Sequence, residues 1–74
     1  MLERLQEIVR RYAGDNNMII TGDTVLLADL GLDSLELIEM VCEIEKEFDV
    51  DIPDREINGF KTMQHVYDYL AKHS

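Results

Sequence analysis

The stretch from Asp33 to Phe48 constrains the fold more than any other part of the chain. Ile38, Val41, Ile44 and Phe48, with Leu37 between them, recur at three- and four-residue spacing. At about 100° per residue that spacing gathers them on one face of an α-helix. Glu36, Glu39, Glu43 and Glu47 fall on the opposite face. Asp33 suits the N-cap, and Glu36 three residues later completes a capping-box pattern.

Further amphipathic segments are available to cover that apolar stripe. Leu2, Leu5, Ile8, Val9 and Tyr12 predict a helix over roughly residues 2–13, stopped by Gly14 ahead of Asp15, Asn16 and Asn17. Residues 14–33 read as a long loop. Met18, Ile19, Ile20, Val25, Leu26, Leu27 and Leu30 make it too apolar to stand free in water, so it is expected to strap across the helices, with a helical turn near 24–29. Loops of that length are often functional. Pro53 breaks the chain after Val50 and Ile52. A short helix is expected from Asp54 to about Gly59. Thr62 is the expected N-cap of a last helix over 63–72, striped by Met63, Val66, Tyr67 and Leu70. Strand-like alternation, repeats and low-complexity runs are absent from the sequence. The expected fold is all-α: a small four-helix bundle of three main helices and one short one, with a long first loop, forming a single domain over 1–74.

Size and charge narrow the function classes. A chain of 74 residues buries only about 60% of its unfolded surface. Little interior remains for an enclosed site with several catalytic groups. One cysteine, Cys42, excludes an intramolecular disulfide and a cysteine-based zinc site; it reads as a small, semi-buried apolar residue. No run of about 18 apolar residues is present, and the first residues lack the continuous apolar stretch of a signal peptide, so a cytoplasmic, monomeric protein without a membrane span is expected. The formal net charge of −9 disfavours nucleic acid and anionic lipid as partners. Residues 33–54 hold nine acids against Lys46 alone. Glu39–Glu43 and Glu43–Glu47 are like-charge i,i+4 pairs, each costing roughly 0.2–0.5 kcal/mol in an isolated helix. With Lys46 and Arg55 as the nearby bases, the repulsion reads as uncompensated. The plain reading is a solvated face; the functional one is a surface offered to a basic partner.

Ser34, in Gly31-Leu32-Asp33-Ser34-Leu35-Glu36, falls in the first turn of the acidic helix. Serine is common there. The position also exposes its hydroxyl at the positive end of the helix dipole, where unpaired backbone N–H groups favour a phosphate group. Gly31 allows a sharp turn into the helix and leaves room for a modifying enzyme. A hydrolase nucleophile is excluded by pattern: Leu32 and Glu36 stand where the nucleophile elbow needs glycines. His65 reads as a partly exposed helix residue and His73 as a frayed end. Asp49, Asp51 and Asp54 fail the calcium-loop pattern, because Pro53 and Asp54 occupy its fifth and sixth positions. No metal ligand set is expected. Met18, Met40 and Met63 read as flexible apolar filler.

Leu30-Gly31-Leu32-Asp33-Ser34-Leu35-Glu36-Leu37-Ile38-Glu39 resembles the attachment motif of acyl carrier proteins. The resemblance runs on through Glu43-Ile44-Glu45-Lys46-Glu47-Phe48, Asp51-Ile52-Pro53-Asp54 and Thr62-Met63. It implies a four-helix carrier fold and no catalytic residues. It implies 4′-phosphopantetheine, moved from coenzyme A onto Ser34 by a phosphopantetheinyl transferase, with Asp33 and Leu35 flanking the site. The arm then carries acyl groups as thioesters among acyl-transferring, condensing and reducing enzymes of fatty-acid or polyketide-type biosynthesis. Glu36, Glu39, Met40, Glu43 and Glu47 are the implied docking residues for basic patches on those enzymes. Leu26, Ile38, Ile44, Ile52, Ile57 and Phe60 are the implied lining of an acyl pocket, and plain core packing is their other reading. The alternatives are an unmodified acidic interaction domain, separable by its refusal of the arm, and a peptidyl carrier.

Overall fold

The computed structural model describes residues 2–73. Met1 and Ser74, counted in the expected domain, and the side chain of Leu2, counted in the first apolar stripe, lie outside the described set. Four helices follow in order: α1 (Leu2–Ala13), α2 (Ser34–Phe48), α3 (Asp54–Ile57) and α4 (Met63–His73). Each expected helix is present, and the short one closes at Ile57, two residues early.

The ends of α1 and α2 follow from local chemistry. Gly14 takes φ 74° after α1. Its N–H donates to the Arg10 carbonyl at 2.9 Å, and the Asp15 N–H reaches the same carbonyl at 3.2 Å. A left-handed glycine thus satisfies acceptors that the helix end leaves open. At the start of α2, Asp33 Oδ1 accepts the Glu36 N–H at 2.7 Å, while Glu36 Oε1 accepts the Asp33 N–H at 3.1 Å. The capping box is complete.

Burial decides how the helices face one another. Leu5, Ile8 and Val9 of α1, Met40, Val41 and Ile44 of α2, and Met63, Val66 and Leu70 of α4 are almost wholly removed from water. A side chain of that size, fully buried, contributes about 1.5–3 kcal/mol. The long loop does strap the bundle: Ile20, Leu26, Leu30 and Leu32 turn inward, whereas Ile19 remains 84% exposed. Near 24–29 it makes a single turn, closed by the Asp29 N–H on the Val25 carbonyl at 2.9 Å, with Asp29 Oδ2 accepting the Val25 N–H at 2.7 Å.

Thr62 stands at the expected N-cap position, directly before Met63, but the loop supplies the capping acceptors. The Met63 N–H donates to the Thr24 carbonyl and the Gln64 N–H to the Gly22 carbonyl, each at 3.0 Å. Val25 and Thr62 form an isolated antiparallel bridge. The imidazole of His65 accepts the Lys61 N–H at 2.9 Å through Nδ1. Loop carbonyls therefore take the leading N–H groups of α4, while the ring nitrogen of His65 reaches back to the N–H groups that precede the helix. His73 is no frayed end; it closes α4 and stacks on Tyr69 with ring centroids 4.2 Å apart.

Asp33→Ala is expected to lower the unfolding free energy by about 0.5–2 kcal/mol, as loss of an N-cap does, while Asp33→Asn keeps most of it. Urea unfolding followed by far-UV circular dichroism measures both.

Candidate functional site

Four side chains set the rotation of α2. Leu37, Met40, Val41 and Ile44 face the core, so the opposite side of the helix points to water. Ser34 lies exposed at the first helical position. Leu35 beside it is 64% exposed. Ile38 and Cys42 follow at i+4 and i+8 on the same side, both exposed.

Three expectations are corrected by this rotation. Met40 is fully buried, because it stands three residues after Leu37 and four before Ile44 on the inward stripe. It fills the core and has no place on the exposed face expected to meet partners. Ile38, 40% exposed, shares the Ser34 side of the helix and so lines no interior space. Cys42 is exposed for the same reason.

The glutamates differ in their partners. Glu43 Oε2 pairs with the Arg11 guanidinium, and Glu43 Oε1 accepts from the Tyr12 hydroxyl at 3.2 Å. Glu47 pairs with Arg4 at 3.0 Å. The carboxylate repulsion expected along α2 is therefore compensated by α1, which runs alongside. The hydrogen bond to Glu47 leads the causes that hold the Arg4 guanidinium above its ordinary value. Glu45 accepts the Ile52 N–H at 2.9 Å. Glu36 is occupied by the capping box. The Glu39 carboxylate makes no hydrogen bond or ion pair among the described residues.

The Ser34 hydroxyl is likewise unengaged among the described residues, and so are the N–H groups of Ser34 and Leu35. Free N–H donors at the start of a 15-residue helix favour an anion. Gly31, three residues earlier, takes φ 71°, which favours glycine, and a Cβ there would meet nothing within 4 Å. The approach on that side is open. These residues fit a phosphodiester at Ser34.

The remaining pocket residues are core. Leu26, Ile44, Ile52, Ile57 and Phe60 are all at most 8% exposed. A surface depression of about 280 Å³ between α3 and α4 touches Phe60 alone of the six, beside Arg55, Tyr69 and Lys72.

Comparison with known proteins decides the family. The model of the phosphopantetheine attachment site matches residues 3–70. The chain belongs to the acyl carrier protein family. It is 35% identical to an acyl carrier protein of Clostridium perfringens over 74 residues, covering all of this chain and 97% of the relative. An acyl carrier protein of Syntrophobacter fumaroxidans is 38% identical over 72 residues, with 97% and 89% covered. The solved structure of a putative acyl carrier protein from Mycobacterium tuberculosis superposes with a TM-score of 0.85 at 36% identity, covering 93% of this chain and 92% of that one.

Acyl carrier proteins are non-catalytic carriers, and phosphopantetheine is their cofactor. Membership implies encounters with modifying and acyl-handling enzymes. Among the described residues of this carrier, no helix is long and apolar enough to cross a membrane.

Burial, and then the hydrogen bond to Glu43, push the Tyr12 phenol up; burial, and then the charge of Glu56, do the same to Tyr69. A raised folded-state value means that the folded carrier holds these protons more tightly than the unfolded chain does. The stability so gained is complete below the ordinary phenol value of 10.0 and is lost as pH rises through the folded values. Phenolate absorbance is expected to rise later in the folded carrier than in urea, and Tyr12→Phe is expected to shorten the lag.

Proposed function

We propose that Ser34 is the residue that receives the phosphopantetheine arm. The unengaged, exposed hydroxyl at the first position of α2 carries this reading. Transfer forms a phosphodiester between Ser34 Oγ and the pantetheine phosphate. It breaks the pyrophosphate bond of coenzyme A, releases adenosine 3′,5′-bisphosphate, and passes the hydroxyl proton to a base on the transferase. The arm, once bound, supplies a terminal thiol that holds acyl groups as thioesters.

The chain's own residues prepare that step. Asp33 and Glu36 hold the first turn, so the hydroxyl starts from a fixed place. Gly31 keeps the approach clear. Leu35, largely exposed beside Ser34, offers an apolar contact to an enzyme closing over the site. Glu36, Glu39, Glu43 and Glu47 present negative charge to basic patches, which speeds encounter and sets orientation more than it tightens binding.

The cargo we assign is an acyl group of fatty-acid or polyketide-type biosynthesis, handled by acyl-transferring, condensing and reducing enzymes. The full-length likeness to acyl carrier proteins and the acidic α2 support it over a peptidyl cargo. The working form is a cytoplasmic monomer. A long acyl chain would have to part Leu26, Ile44, Ile52, Ile57 and Phe60 to enter the bundle. Such an opening trades packing for contact with the chain itself.

Incubation with coenzyme A and a broad-specificity phosphopantetheinyl transferase is expected to add the mass of one arm, and Ser34→Ala is expected to abolish the addition. Unchanged mass of the parent carrier, or an arm mapped to another residue by peptide fragmentation, overturns the assignment.

A further inference from the structure

The four glutamates of the acidic face are unequal, and α1 makes them so. Glu43 spends both carboxylate oxygens inside the molecule, one on Arg11 and one on the Tyr12 hydroxyl. Glu47 gives one oxygen to Arg4, whose guanidinium it shares with Glu7, so its charge is cancelled only in part. Glu36 faces a neutral backbone N–H through its cap, so its charge is uncancelled. The Glu39 carboxylate has neither hydrogen bond nor ion pair among the described residues. Glu39 and Glu36 lie within the first two turns of α2, beside Ser34, while Glu43 and Glu47 lie in its second half.

A cation held within about 4 Å of a carboxylate cancels most of its field at a distance. A partner lysine or arginine approaching Glu43 must displace Arg11 or share it, and the exchange of one surface pair for another yields little. A partner approaching Glu39 displaces only water. From these pairings we infer that Arg11 and Arg4 are specificity-determining residues: they mute the second half of the α2 face and concentrate electrostatic docking on Glu39, next to the attachment serine. This rests on the reading of α2 as the docking face. The partner it favours carries its basic group close to its own active centre, where the arm enters. Partners that grip the far half of α2 are disfavoured.

The seam is an exposed one. The side chains of Arg4 and Arg11 are 49% and 57% accessible. Their replacement removes surface pairs and no core packing, so the variants are expected to fold.

The test measures association rates of the apo carrier with a broad-specificity phosphopantetheinyl transferase, at low and high salt. Glu39→Gln is expected to slow association about two- to fivefold at low salt, and removal of both members of the Arg11–Glu43 pair to change it by less than about 1.5-fold. Arg11→Gln is expected to speed association about two- to fivefold, and Arg11→Lys to leave it near the parent rate. In the double variant Arg11→Gln, Glu43→Gln, the gain is expected to vanish, because the unmasked charge is gone. Lys72→Gln removes the same charge away from the seam and controls for net charge. The inference is overturned if the double variant Arg11→Gln, Glu43→Gln slows association as much as Glu39→Gln does, or if the Arg11→Gln gain survives in it or is matched by Lys72→Gln. Silence of every glutamate variant sinks the docking reading itself, and the inference with it.

Discussion

Burial of Leu37, Met40, Val41 and Ile44 against the rest of the core fixes the rotation of α2 about its own axis. Everything that concerns the carrier's work depends on that angle. It turns Ser34, Leu35, Ile38 and Glu39 to water. It brings Glu43 and Glu47 to the flank where α1 runs, within reach of Arg11 and Arg4. A rotation of one residue, about 100°, would bury the serine's side of the helix and strip the flank of its partners. The core thus fixes the direction of the functional side chains without touching any of them.

The capping box adds position to direction. A helix N-terminus frays unless its first N–H groups find acceptors. Asp33 and Glu36 satisfy two of them reciprocally and leave those of Ser34 and Leu35 open. The site therefore combines a fixed backbone with unspent donors, which is what a phosphodiester needs. The long loop braces the last helix. Its carbonyls at Gly22 and Thr24 take the leading N–H groups of α4, so the strap and the last helix are one hydrogen-bonded unit.

Much of this was legible in the sequence, and the exceptions share a cause. The bounds of α1, the glycine stop at Gly14 and the Asp33–Glu36 cap depend on residues at most four apart, so spacing reveals them. The motif over residues 30–39 that carries the family resemblance is equally local. The facing of Met40, Ile38 and Cys42 was not legible. Residues 35, 37, 38, 40, 41, 42 and 44 are all apolar or small, and that run accommodates more than one inward stripe. Only tertiary packing, of α1 and the rest of the core, selects among them. The pairing of Arg11 with Glu43 joins residues 32 apart, and the caps of α4 are backbone carbonyls that carry no side-chain signature.

Cys42 has a practical bearing. It stands eight residues after Ser34 on one side of α2, a rise of about 12 Å, and it is open to solvent. The arm proposed for Ser34 would end in a second sulfhydryl. Alkylating agents and maleimide dyes would then meet two nucleophilic sulfurs on a single helix side. Selective tagging of the arm calls for Cys42→Ser, whereas a fluorophore placed on Cys42 before loading would sit beside the arriving enzyme.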